Sequence, residues 1–119
     1  MSLSPQPNPI EANPVVLLNA PVVTSEGVYR FEQISPEEAR SLVHRQGFKS
    51  AIGPAPTALV LSELLNVDCP MNRVEFRQQP GQVAIVFRLA RRLEEGRILV
   101  DRFEIEQIGF SFALLTREE

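Results

Sequence analysis

An α/β fold is what this sequence predicts: a mixed β-sheet of about five strands with helices packed against it. Three stretches carry that expectation. Pro14-Val15-Val16-Leu17-Leu18-Asn19 is a short, uninterrupted apolar run bounded by proline and asparagine, the pattern of a strand buried on both faces. Ser35-Pro36-Glu37-Glu38 is a helix start, because Ser35 can accept from the Glu38 amide while Glu38 reaches back to the Ser35 amide. Asn72 to Gln78 alternates strictly between polar and apolar residues. Gln79-Pro80-Gly81-Gln82 then turns the chain into the apolar run Val83 to Leu89, so the two runs are expected to form a hairpin.

Along the chain, residues 1–13 hold Pro5, Pro7 and Pro9 among small polar residues without apolar periodicity. They are expected to be a flexible arm ahead of a single domain over 14–119. Asn19-Ala20-Pro21 ends the first strand, and Val28 to Ile34 alternates weakly, as an extended segment or an edge strand does. In the helix opened by Ser35, Pro36 takes the first position without losing a needed donor. Ala39, Leu42 and Val43 form its buried stripe, and Gly47 stops it. His44, the single histidine, falls in the last turn, where it complements the helix dipole.

Phe48 to Gly53 reads as a short strand entering a loop. A second helix begins at Pro56 or Thr57, carries Leu59, Leu61, Leu64 and Leu65 as its apolar stripe, and ends at Asn66. In the alternating segment Val74 and Phe76 share one face, with Arg73, Glu75 and Arg77 on the other; Arg88 joins the polar face of the hairpin. Asp101 with Glu104 makes a second cap pair, for a helix of about two turns ending at Gly109, and Phe110 to Thr116 is the last strand.

The net charge of −3 argues against broad electrostatic binding of duplex nucleic acid. No apolar run approaches the ~18 residues needed to cross a bilayer, and the N-terminus lacks a basic stretch followed by an apolar one, so a cytoplasmic protein without a membrane partner is expected. One cysteine, Cys69, and one histidine cannot build a disulfide framework or a thiolate–imidazole metal set. No metal and no cofactor are expected, and Cys69 reads as a small buried hydrophobe.

Of the 12 basic side chains all but Lys49 are arginine. They concentrate in the stretch from Phe87 to Glu106, where an apolar strand breaks into Arg91-Arg92-Leu93-Glu94-Glu95-Gly96. Guanidinium groups at a strand end suit phosphate contact, since each is a planar fork of donors that never loses its charge. They equally suit a solvated loop whose charges pair with one another.

A set of short motifs occurs together, in order and well spaced: Leu17-Leu18-Asn19-Ala20-Pro21, Ser35-Pro36-Glu37-Glu38-Ala39, Lys49-Ser50-Ala51-Ile52-Gly53, Leu61-Ser62-Glu63-Leu64-Leu65, Asn72-Arg73-Val74-Glu75, Arg92-Leu93-Glu94-Glu95-Gly96 and Ile108-Gly109-Phe110. Over residues 15–117 the sequence resembles a small family found in archaeal viruses, phages and some bacteria, whose viral members act as type III anti-CRISPR ring nucleases. The resemblance implies a homodimer that binds cyclic tetraadenylate, the second messenger of type III CRISPR defence, across its two-fold axis. Each subunit would present the same arginines to half of the ring. It further implies metal-free cleavage: a ribose 2′-hydroxyl attacks the adjacent phosphate in line, a 2′,3′-cyclic phosphate forms, and a histidine protonates the departing 5′-oxygen.

Carried over residue by residue, the resemblance makes Arg73 a phosphate contact and puts Asn19 near the ligand. Arg92 and Glu95 become the catalytic pair, one stabilising charge in the transition state and the other orienting groups at the reacting centre. Thr57, Phe76 and Arg88 complete the expected ligand-binding set. The catalytic histidine should follow Ile-Gly, yet Ile52-Gly53 is followed by Pro54, which has no proton to give. The expected activity is therefore binding of the ring with slow cleavage or none. The alternatives are an active ring nuclease that uses a different general acid, or a dimeric interaction module whose arginines pair with Glu75, Glu94 and Glu95.

Overall fold

The first apolar run becomes β1 (Val15–Leu18), and all four residues are buried because the strand has a parallel neighbour on each side. The computed structural model describes residues 14–21, 23–90 and 102–119. After β1 come β2 (Tyr29–Ile34), α1 (Pro36–Gln46), β3 (Phe48–Ser50), α2 (Ala55–Leu65), β4 (Val83–Leu89), α3 (Arg102–Ile108) and β5 (Phe110–Arg117). One five-stranded sheet runs in the order β2-β5-β4-β1-β3. β1 is parallel to β3 and β4, whereas β5 is antiparallel to β4 and β2, so the sheet is mixed and β2 is an edge strand, both as expected.

Alternation along the strands splits the core in two. Val15, Leu17, Ile85, Phe87 and Phe112 face the three helices, where Ala39, Val43, Leu61, Leu64, Leu65 and Ile105 meet them. Phe87, Phe110 and Phe112 form an aromatic triangle there, with ring centroids 5.6–5.9 Å apart. Val16, Leu18, Ala84, Val86 and Leu115 point to the opposite, back face, where Tyr29, Ala51 and Phe76 pack on them.

The capping box at Ser35 is formed: the Glu38 amide donates to Ser35 Oγ at 3.1 Å, and Glu38 Oε1 accepts from the Ser35 amide at 3.4 Å. Gly47, at φ +76°, closes α1 with its amide on the Val43 carbonyl. His44 lies in the last turn of α1, as expected, and it also reaches the end of the neighbouring helix. Its Nε2 lies 2.9 Å from the Leu65 carbonyl, and Arg40 donates to the Leu64 carbonyl at 3.0 and 3.3 Å, so α1 caps the C-terminus of α2.

Two expectations are corrected. Leu59 is not part of the buried stripe of α2; it is 70% exposed, and Thr57, Ala58 and Val60 are buried beside Leu61, Leu64 and Leu65. Successive helical residues rotate by about 100°, so Leu59 and Leu61 cannot share one narrow face. Nor does Asn72 to Gln78 form a strand or a hairpin with β4, because both edges of β4 are occupied, by β1 and by β5. Its alternation reports one-sided contact instead. The segment crosses the back face, with Phe76 packed on the sheet, Gln78 buried at 4% exposure, and the Gln78 side-chain amide donating to the Leu115 and Gln82 carbonyls at 2.7 Å. The turn itself is present: the Gln82 amide bonds the Gln79 carbonyl, and Gly81 has φ +83°.

Arg117 ties this cover down. It donates to the carbonyls of Gln78 at 2.6 Å, Glu26 at 2.7 Å and Glu119 at 3.0 Å, and its guanidinium lies 5.9 Å from the centre of the Tyr29 ring. The expected arm over 1–13, the cap residue Asp101 and the loop over 91–100 lie outside the described residues. Among the described residues, no helix is long and apolar enough to cross a membrane.

Candidate functional site at the carboxyl ends of the parallel strands

β1, β3 and β4 run in the same direction, so their carboxyl ends open on one edge of the sheet. Asn19 follows β1, Gly53 and Pro54 follow β3, and Arg88 is the penultimate residue of β4. In open α/β sheets this edge is where ligands sit, because loops rather than strands end there. The structure thus brings Asn19, Pro54 and Arg88 to one edge although they are far apart in sequence.

Pro54 is the N-cap of α2, with φ −74° and ψ 126°, and it makes no side-chain cap bond. The first helical bond runs from the Ala58 amide to the Pro54 carbonyl, which leaves the Ala55 and Thr57 amides outside the ladder. The Thr57 side chain is 8% exposed in this first turn and does not line the cleft described below. His44 bonds the far end of the same helix, roughly 16 Å along the axis from residue 54 at 1.5 Å per residue, too far to replace an acid there.

Arg73 reaches the site from the back-face cover. Its Nε donates to the Gly53 carbonyl at 3.3 Å and the side chain is exposed, so the guanidinium stands beside Pro54. Among the described residues, no carboxylate pairs with it. Glu75, which could have done so, is held by Arg77 at 3.4 Å, and Arg30 pairs with Glu32 and Glu118. Arg88 is exposed and shares the back face with Val86 through its pairing to Ser111. Phe76 and Asn19 meet in a cleft of about 230 Å³ that Leu18, Ala20, Ala51 and Val74 also line. The catalytic pair expected from the sequence, Arg92 and Glu95, lies outside the described residues.

The residues that hold this edge together were not legible as functional. Ser50 donates to the Pro70 carbonyl at 2.6 Å and accepts from the Ile52 amide, and Asn72 donates to the Ser50 carbonyl at 2.8 Å. Cys69 packs beneath, 4% exposed, with its sulfur 3.6 Å from Ser50 Oγ. Burial pushes its thiol above the usual range, with Asp68 adding to that and the Ser50 hydrogen bond opposing it. The thiolate is the reactive form, so in the native protein Cys69 should react with a thiol reagent such as DTNB only after unfolding. Prompt stoichiometric labelling under native conditions would show an open loop.

The sequence profile described as STIV B116-like matches residues 15–112, from the first residue of β1 to the third of β5. The chain belongs to the STIV B116-like family. Among the described residues, the matched span takes in β1 to β4, the three helices and the start of β5. The chain is 40% identical over 105 residues to the protein YddF of Bacillus subtilis (strain 168), covering 87% of this chain and 96% of YddF. It is 38% identical over 91 residues to ORF117 of Acidianus two-tailed virus, covering 75% of this chain and 78% of that protein. Protein 26 of Sulfolobus islandicus filamentous virus (isolate Iceland/Hveragerdi) is 35% identical over 89 residues, 75% of each chain. Among solved structures, B116 of Sulfolobus turreted icosahedral virus superposes with a TM-score of 0.69 at 24% identity, over 88% of this chain and 100% of B116. That likeness places the STIV B116-like fold on this chain; the identity is too low to carry more.

Proposed function

We propose that this protein binds cyclic tetraadenylate as a two-fold homodimer and cleaves it slowly or not at all. The observation that carries the reading is Arg73, exposed at the carboxyl edge of the parallel strands with no carboxylate on it among the described residues, next to a proline where a general acid is expected. A guanidinium in that state is a ready phosphate contact. The uncapped start of α2 beside it adds backbone donors and a partial positive charge. A proton must reach the departing 5′-oxygen, and neither Pro54 nor His44 is placed to supply it. Such a protein withdraws the messenger rather than destroying it. The interaction-module alternative ties the arginines to Glu75, Glu94 and Glu95; among the described residues Glu75 is on Arg77 and no carboxylate is on Arg73, which favours the binding reading.

The test mixes the protein with radiolabelled cyclic tetraadenylate and reads both a gel shift and the products. A shift with intact ligand is expected. Arg73→Ala should weaken binding by roughly tenfold or more, the weight of a charge-assisted hydrogen bond. Linear products under multiple turnover would mean that another acid operates, and the absence of any shift would defeat the reading.

A further inference from the structure

The structure assigns Asn72 a positioning role: it clasps the loop 69–73 onto the outer edge of β3 and thereby sets the Arg73 guanidinium beside Pro54. This rests on the reading of Arg73 as a phosphate contact. β3 is the edge strand of the sheet next to β1. The Ala51 amide bonds the Leu17 carbonyl of β1, so by alternation the carbonyls of Ser50 and Ile52 point away from the sheet. Two such carbonyls would be open edge acceptors, and Asn72 takes both. Its backbone amide donates to the Ile52 carbonyl and its side-chain Nδ2 to the Ser50 carbonyl, each at 2.8 Å. The next residue continues the same pattern, with Arg73 Nε on the Gly53 carbonyl at 3.3 Å.

Three carbonyls within four residues, at 50, 52 and 53, are thus bonded by one dipeptide. Ser50 closes the other end by donating to the Pro70 carbonyl at 2.6 Å. The consequence is specific to a side-chain amide at position 72. An aspartate there has the same shape but no donor, and its carboxylate would face the Ser50 carbonyl. A long arginine side chain loses much of its value as an anion contact if it must be ordered from a free loop on binding. With Nε already engaged and the loop fixed, the terminal nitrogens are presented in one place. The Lys49-Ser50-Ala51-Ile52-Gly53 and Asn72-Arg73-Val74-Glu75 motifs are in this view a single structural unit.

Asn72→Asp keeps the main-chain bond to Ile52 and the side-chain volume, so it should fold. The experiment uses the full chain labelled with 15N and follows the Arg73 Nε–H signal, assigned by its loss in Arg73→Lys. In parallel, affinity for cyclic tetraadenylate is measured for the wild type, Asn72→Asp, Arg73→Ala and the double variant. The wild-type Nε–H should exchange slowly with solvent, and faster in Asn72→Asp. Asn72→Asp should lose about as much affinity as Arg73→Ala, roughly tenfold or more, and the double variant should lose no more than either. Losses that multiply in the double variant, or an Arg73 Nε–H signal unchanged by Asn72→Asp, overturn the assignment; a merely structural asparagine gives additive losses. If the wild type binds no ring at all, the reading of the function fails, and the exchange of Arg73 Nε–H alone decides whether the clasp exists.

Discussion

Pro54→His is expected to raise the rate of cyclic tetraadenylate cleavage by about 10²–10⁴-fold, the usual contribution of a positioned general acid. The backbone imposes no obstacle. Residue 54 sits at φ −74° and ψ 126°, an extended conformation that histidine adopts freely, and the side chain is exposed at the site edge. The substitution leaves the Gly53 carbonyl that Arg73 bonds, so the proposed phosphate contact stays in place. Position 54 also heads α2, where the helix dipole disfavours a cation. The introduced imidazolium should therefore titrate below the ordinary histidine value of ~6.5. Because the acid works only when protonated, the rate should be highest below that pKa and decline as pH rises through it.

Single-turnover cleavage of labelled ring across the acid-to-neutral range, with Pro54→Ala as the control, reads both the rate and the profile. Pro54→Ala relaxes the loop but gives no proton, so it should match the wild type. A Pro54→His protein that binds the ring yet cleaves no faster than Pro54→Ala would show that residue 54 does not face the leaving oxygen.

Legibility in the sequence followed the range of the interactions involved. The capping box at Ser35 and the αL end of α2 at Asn66 were readable because each is satisfied within a few residues. β1 was readable as buried on both faces because a strand flanked by parallel neighbours has no polar face to show. The hairpin was not, and the reason is instructive. Alternation records that one side of a segment faces the protein, and Phe76 and Gln78 do so by lying across a sheet rather than by joining one, while Val74 stays 53% exposed. Nothing local to 72–78 says that both edges of β4 are taken by strands 65 residues upstream and 20 downstream, roughly counted. The same distance hid the clasp of Asn72 on β3 and the cap that Arg40 and His44 place on α2. The convergence of Asn19, Pro54 and Arg73 came from ordered motifs rather than from any chemistry a single one of them displays.

Arg117→Ala is expected to cost about 3 kcal/mol of stability. Arg117 is half-buried at the end of β5 and donates to three carbonyls from three separate segments, Gln78, Glu26 and Glu119. Hydrogen bonds from charged donors contribute about 1.5–3 kcal/mol each, and partial exposure lowers the sum. The penalty is sharpest at Gln78, a buried residue whose carbonyl would lose a 2.6 Å partner. Lysine should not rescue the loss, because one ammonium cannot span the three acceptors that a guanidinium fork reaches.

The packing at Gly27 provides an independent check on the same junction. A Cβ there would fall 2.5 Å from the Glu119 carbonyl and 2.7 Å from Arg117 Nε, so Gly27→Ala must displace Arg117 even though it removes no bond itself. Both variants should lower the thermal midpoint, Arg117→Ala by roughly 10 °C at this chain length. Hydrogen exchange should quicken first over the back-face cover rather than in the aromatic triangle on the helix side. That cover carries Phe76 and Val74 into the cleft and Arg73 to the edge, so the same variants should also weaken ligand binding. Unchanged exchange over the cover in both variants would mean that Phe76 and Gln78 hold it without Arg117. The stability of the back face and the placement of Arg73 would then be separate properties of the fold.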